Sequence, residues 1–262
     1  MKSITEFLEF KRQNRPISMV TCYDYLTAKI IGQSNMDAVL VGDSAAMVMH
    51  GFPTTVNADL EMMKLHVAAV SRGLPGKVII ADLPFLAHTK GKKYLMEGVD
   101  ALMKAGANAI KIEGADASLA AIQYLIQADV PVMGHLGLTP QSVNKLGGFK
   151  VRGRNNEQKT KLLEDSRKLE DAGVFALVLE MIPSPLAAEI TEVLDIPTIG
   201  IGAGNSTSGQ VLVLQDLLGM NPGFNPKFIR HYMEGAELIR GALNAYDAEV
   251  KCREFPSEKE SF

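Results

Sequence analysis

A chain of 262 residues, 47% hydrophobic and 22% charged, has enough apolar side chain to bury a large core, which excludes disorder as its main state. A net charge of -3, spread along the sequence, argues against nucleic acid or an anionic membrane as partner. Two cysteines, Cys22 and Cys252, lie far apart and outside any C-x-x-C spacing, which argues against a disulfide framework and fits a reducing cytoplasm.

The N-terminal stretch MKSITEFLEFKRQNR carries charge throughout and lacks the apolar run of a signal peptide. Within it, residues 4–10 predict an extra helix that plugs the bottom of the fold. Apolar, β-branched runs then follow at 19–22, 38–41, 78–81, 109–112, 130–133, 174–179, 197–201 and 211–214. Runs without polar alternation suit parallel strands covered on both faces. Helix-like stretches lie between them at 60–71, 93–105, 119–127 and 158–172. Every connection is long enough for a right-handed crossover except the last. Eight strands with interleaved helices predict a closed (β/α)8 barrel, read as a single domain over 1–262. The eighth run, in VLVLQDLL, fits strand or helix equally, and 225–246 reads as a C-terminal helix before a polar tail. No apolar stretch is long enough to cross a bilayer, so a soluble, cytoplasmic protein is expected.

The carboxyl ends of the runs carry the chemistry. They read VLVGDS, VIIADLP, IKIEG, VMGHLG and LVLEM, so that Asp43, Asp82, Glu113, His135 and Glu180 each close a strand at the same end. Barrel enzymes build their sites on that rim. One acid there can cap a helix or pair with a rim cation; several at equivalent positions make a site. Asp43, Asp82 and Glu113 crowded together would raise one another's pKa unless a cation sits among them, and oxygen-only donors select a hard ion such as Mg²⁺. Lys111 and Glu113 are two apart and face the same way. They either form an ion pair filling a core layer, or Lys111 holds an anionic substrate while Glu113 supports the metal. Lone buried pairs stabilise poorly, which favours the second. His135 is a candidate donor to a substrate oxygen. Glu180, the acid not needed for metal, is the candidate general base. The remaining histidines, His50, His66, His88 and His231, show no ligand spacing and read as surface or structural. The segment IGIGAGNSTSG lacks the helix and the downstream acid of a dinucleotide fingerprint. Its glycines either form a phosphate loop or let backbone pass close to substrate.

With these residues in hand, the sequence resembles the ketopantoate hydroxymethyltransferase family. The matching strings are TCYDYLTAKI, VLVGDSAAMVMHG, ADLPF, AIKIEGAD, GHLGLTPQSVNKLGGFKVRG, LEMIPSPLAAEIT and TIGIGAGNSTSGQVLVLQDLLGM. The resemblance implies transfer of a one-carbon unit from methylene-tetrahydrofolate to α-ketoisovalerate (3-methyl-2-oxobutanoate), giving ketopantoate for pantothenate and coenzyme A synthesis. It implies metal ligands at Asp43, Asp82 and Glu113, keto-acid contacts at Asp43, Ser44, Asp82 and Lys111, and a proton acceptor at Glu180. His135 then faces substrate or folate. It further implies Mg²⁺ or another divalent ion and a homo-oligomer, a decamer among the expected sizes. Two departures lie in loops: AAMVMHGFPTTVNADLEMM after Ser44, and Asn205 where the family usually has proline. The alternatives are a Mg²⁺-dependent keto-acid lyase or mutase barrel, for which a cysteine-bearing loop is wanting, and a non-catalytic keto-acid-binding barrel.

Overall fold

The computed structural model describes residues 3–142 and 150–262, so residues 143–149 of the GHLGLTPQSVNKLGGFKVRG string lie outside the described residues. The chain divides into two compact units, Met1–Val213 and Leu214–Phe262.

In the first unit, β1 (Ile17–Thr21), β2 (Ala38–Val41), β3 (Val78–Asp82), β4 (Ala109–Glu113), β5 (Val132–Gly137), β6 (Ala176–Glu180), β7 (Thr198–Ile201) and β8 (Gly209–Leu212) form a closed barrel in that order. All pairings are parallel, including β8 back to β1. The strands β2, β3 and β4 are buried along their whole length, which is why their sequences run apolar without alternation. The crossovers carry α2 (Tyr25–Gly32), α3 (Ala45–Val48) with α4 (Leu60–Gly73), α5 (Lys92–Ala105), α6 (Leu119–Gln127), α7 (Asn156–Ala172) and α8 (Ser184–Val193). Their starts are written locally. Asp24, Asp59 and Asn155 stand in extended conformation and accept from the backbone N–H groups of Thr27, Met62 and Gln158, satisfying donors a helix start leaves free. The end of α7 is equally local, with Gly173 in the left-handed region at φ 96°. As the short spacing predicted, β7 connects to β8 without a helix.

The expected plug is α1 (Thr5–Arg12). Phe7 and Phe10 join the barrel's own core, among Ile17, Val78, Ala109 and Ala176, and the Phe7 ring meets Phe175 edge-on at 5.2 Å. Lys11 fastens the helix by donating from Nζ to the carbonyls of Thr191 (3.0 Å), Leu194 and Ile196 (2.8 Å).

Several boundaries shift by one or two residues, and three elements depart further from expectation. The fifth run was expected at 130–133, but β5 continues to Gly137 because Gly134, His135 and Gly137 interrupt the apolar pattern without ending the ladder. The eighth run is a strand only to Leu212 and is followed by the short helix α9 (Leu214–Leu217). In the second unit, the helix expected at 225–246 is α10 (Gly235–Cys252). Pro226, which lacks an N–H and holds a fixed φ, stands in the loop ahead of it. Among the described residues no helix is long and apolar enough to cross a membrane.

Candidate active site

Register places the polar side chains. Asp82 pairs with Lys111 across β3 and β4, and Glu113 with His135 across β4 and β5. Residues two apart on a strand share a face. The interior of β4 therefore reads Ala109, Lys111, Glu113 from bottom to top, and that of β6 reads Ala176, Val178, Glu180. The lower positions belong to the apolar core. The upper ones line a cavity of about 100 Å³ together with Asp43, Ser44, Asp82 and His135. All the residues singled out from the strand ends, and Ser44, thus meet at one place. Gly137 helps set Glu180. At φ 99° it brings β5 so close to β6 that a Cβ would lie 2.1 Å from the Glu180 carbonyl oxygen, which accepts from Leu138 N–H at 2.8 Å.

The cluster is a chain of alternating charges. Lys111 Nζ stands 2.7 Å from Asp82 Oδ1, both buried, so the lysine pairs with Asp82 on the neighbouring strand and not with Glu113 on its own. Asp82 Oδ2 accepts from Asp43 N–H at 3.0 Å. The His135 ring bridges two acids, Nδ1 at 3.4 Å from Glu113 and Nε2 at 3.3 Å from Glu180, with Lys111 Nζ 3.3 Å from Nδ1. Burial and the Lys111 ammonium oppose a charge on that ring, but Glu113 and Glu180 outweigh both and push its pKa up to about 9. The same partners hold Glu113 below the usual carboxylate range against the pull of burial: His135 foremost, then Lys111 and the Gln141 N–H. Burial likewise opposes the charge on Lys111, yet Asp82, Glu113 and Asp43 hold it above its ordinary pKa. Asp43 goes the other way. Burial first, then Asp82 and Glu113, raise its pKa well above the usual value.

Among the described residues, no group of three or more His, Cys, Asp or Glu stands ready-made to hold a metal ion; the carboxylates rest on protein donors instead. The donor set nonetheless suits a hard divalent cation. Asp43, Asp82 and Glu113 offer only oxygen, and the raised pKa of Asp43 between Asp82 and Glu113 marks a buried site with surplus negative charge.

Sequence reasoning missed three participants. Gln141, in the short turn Pro140–Ser142, donates from Nε2 to Asp43 Oδ2 (2.8 Å) and the Leu83 carbonyl (3.0 Å), and from its backbone N–H to Glu113 Oε2 (3.1 Å). Tyr23, fully buried, shares a 2.8 Å hydrogen bond with Ser44 Oγ. Thr55 lines the small cavity. Gln141 and Tyr23 lie within GHLGLTPQSVNKLGG and TCYDYLTAKI, but neither ends a strand nor carries a charge at neutral pH, so nothing in the pattern marked them.

A second cavity of about 610 Å³ meets the first at Glu113, and Gln141, Gly114, Ser118 and Lys161 are on its wall. His88, expected to be surface or structural, lines it too. The other two histidines of the first unit are structural: His50 Nε2 and His66 Nε2 are 2.8 Å apart, and His66 Nδ1 is 2.6 Å from the Tyr23 carbonyl. The glycine loop after β7 packs on protein, since a Cβ on Gly204 would fall 2.0 Å from Ser184 Oγ. No capping role occupies Glu180, because α8 starts from Pro183 without a side-chain cap.

The model of the family described as ketopantoate hydroxymethyltransferase matches residues 1–258. A Bdellovibrio bacteriovorus protein named 3-methyl-2-oxobutanoate hydroxymethyltransferase is 55% identical over 262 residues, covering 100% of both chains. A Coxiella burnetii protein of the same name is 54% identical over 252 residues, 96% of this chain and 95% of its own. Among solved structures, a phosphonopyruvate hydrolase complex with oxalate and Mg²⁺ superposes with a TM-score of 0.64 at 12% identity, over 99% of this chain and 93% of that one. That likeness speaks to the barrel fold alone.

Proposed function

Because the chain belongs to the ketopantoate hydroxymethyltransferase family, we propose that its small cavity takes 3-methyl-2-oxobutanoate and that Glu180 removes the C3 proton. The protein is a hydroxymethyltransferase that forms ketopantoate. Membership over the full length sets aside the lyase or mutase and the non-catalytic barrel. The observation that carries the residue roles is that Asp43, Ser44, Asp82, Lys111, Glu113, His135 and Glu180 line one cavity of about 100 Å³.

The difficult event is breaking the C3–H bond. A ketone's α-proton is roughly fifteen pKa units weaker than a carboxylic acid, a gap on the order of 20 kcal/mol that a carboxylate base cannot bridge alone. Lys111, kept charged by Asp82 at 2.7 Å, supplies a fixed positive charge where the substrate oxygens gain electron density. Burial multiplies that effect, since a water-poor site screens it little. A divalent cation, Mg²⁺ in our reading, held by Asp43, Asp82 and Glu113 would add Lewis-acid withdrawal of the same charge. His135 Nε2 stands 3.3 Å from Glu180, a charge contact without a hydrogen bond that keeps the carboxylate at the cavity. The proton passes to Glu180, C3 forms a carbon–carbon bond to the one-carbon unit, and water supplies the hydroxyl. Both bonds from that carbon to the donor's nitrogens break, and the two nitrogens take up one proton that came from C3 and one from the water. We take the donor to be methylene-tetrahydrofolate, seated in the cavity of about 610 Å³ that shares Glu113 with the first. Its size suits a ligand of that class.

Two further readings complete the proposal. The chain acts as a homo-oligomer, supported by an exposed apolar stripe on α10, Ile239, Leu243, Tyr246 and Val250, at the spacing of helices that pair. It works in the cytoplasm, in keeping with two unpaired cysteines.

Proton–deuterium exchange at C3 of 3-methyl-2-oxobutanoate, followed by NMR with Mg²⁺ and without folate, tests the central claim. The parent protein is expected to exchange in a Mg²⁺-dependent way, and Glu180→Gln to lose the exchange by about 10²-fold or more. Unchanged exchange in that variant would remove Glu180 from the role of base.

A further inference from the structure

Buried hydroxyls in this protein are almost always satisfied. Thr198 Oγ1 pairs with Thr191 Oγ1 at 2.6 Å, and Ser166 Oγ donates to the Leu163 carbonyl at 2.8 Å. Among the described residues only two solvent-shielded hydroxyls lack a partner, those of Thr55 and Ser118. Each belongs to a residue that lines one of the two cavities. A buried polar atom left unpaired is destabilising and needs a reason to persist.

Thr55 carries the stronger argument. It is 3% exposed and begins the short turn Thr55–Asn57, which packs against the turn Pro140–Ser142 that carries Gln141. Its neighbours on the cavity wall include the carboxylates of Asp43, Asp82, Glu113 and Glu180, a wall rich in acceptors and poor in donors. An α-keto acid brings only acceptor oxygens. It therefore needs donors, and Lys111 already stands on Asp82 while Ser44 already shares its hydroxyl with Tyr23. A threonine hydroxyl can turn its hydrogen toward an arriving acceptor without moving the backbone.

We infer that the Thr55 hydroxyl is a substrate-binding group that donates a hydrogen bond to an oxygen of the keto acid. The inference rests on the reading that the small cavity takes the keto acid. It explains why an unpaired hydroxyl is kept there: the empty protein carries the cost, and the bound acid removes it.

The two states make opposite demands on one substitution, which gives the test. Thr55→Val keeps the shape and deletes the hydroxyl; Thr55→Ser keeps the hydroxyl. Calorimetric titration with 3-methyl-2-oxobutanoate in the presence of Mg²⁺ gives Kd, and thermal unfolding of the ligand-free proteins gives Tm. Thr55→Val is expected to weaken Kd about tenfold or more, with its ligand-free Tm at or above the parent's, because an unsatisfied polar atom has gone. Thr55→Ser is expected within about threefold of the parent Kd. A Thr55→Val protein that binds within threefold of the parent overturns the inference. So does one whose ligand-free Tm falls by several degrees, since the hydroxyl would then have a partner in the empty protein. If the parent itself binds no keto acid, the reading of the cavity fails first and takes the inference with it.

Discussion

Gln141 shows how much one uncharged side chain can organise. Its amide and its backbone N–H touch acceptors contributed by three different strand ends, at Asp43, Leu83 and Glu113. In the proposed reading, where Asp43 and Glu113 hold the metal, partners of this kind set the orientation of the ligating carboxylates. Gln141→Met, similar in length but without donors, should weaken Mn²⁺ binding about 10- to 100-fold, read by electron paramagnetic resonance of the free ion in the absence of keto acid. Cys22 offers a pH test away from the site. Buried, with its Sγ 3.6 Å from the Asp24 carbonyl oxygen, its thiol is pushed up to about 11, chiefly by burial. The folded state thus keeps a proton that the unfolded chain releases near its ordinary value of 9.0. The sign follows: the contribution is fully present below about pH 9 and is lost as pH rises through about 11. Urea midpoints measured across that window should fall more steeply for the parent than for Cys22→Ala. Legibility at this scale followed charge. Asp43, Asp82, Lys111, Glu113 and Glu180 stood out because a charged residue at the end of a buried apolar run is costly without a purpose. Gln141, Tyr23 and Thr55 did not, because their importance lies in burial and partners that only the folded chain supplies.

At the scale of elements, β2, β3 and β4 were readable because strands buried on both faces are written as unbroken apolar runs. The fifth strand was misjudged for the reason that makes it useful. Its second half, Gly134 to Gly137, exchanges apolar side chains for the histidine between two acids and for a glycine that lets β6 approach. Function had replaced the periodicity that would have announced the strand. The plug α1 was read as an extra helix ahead of the first apolar run, and its energetic weight can be measured. Phe7 is fully buried against Phe175 and the lower barrel core. Phe7→Ala should lower stability by about 3–5 kcal/mol, read as a lower denaturant midpoint with an unchanged m-value.

For the molecule as a whole, the helix α10 matters most. An 18-residue helix with Ile239, Leu243, Tyr246 and Val250 all exposed carries an apolar stripe, met edge-on at Tyr246 by Phe255 at 5.4 Å, a surface that association would cover. Leu243→Glu should shift the sedimentation profile toward smaller species while leaving far-UV circular dichroism unchanged. A profile that matches the parent's would detach the stripe from assembly. Nothing in the composition could have set an oligomer size, because assembly depends on which surfaces stay open after folding.

The plug has one more consequence. With α1 wedged into the lower end of the barrel, the inner cavity is closed from below, and the larger one adjoins it at Glu113. With the donor seated in the larger cavity as proposed, and that cavity the way in, the small acid would have to enter first and the finished product would wait behind the spent donor. Architecture alone would then impose a compulsory order of arrival and departure, and a surplus of the second guest would bar the door to the first.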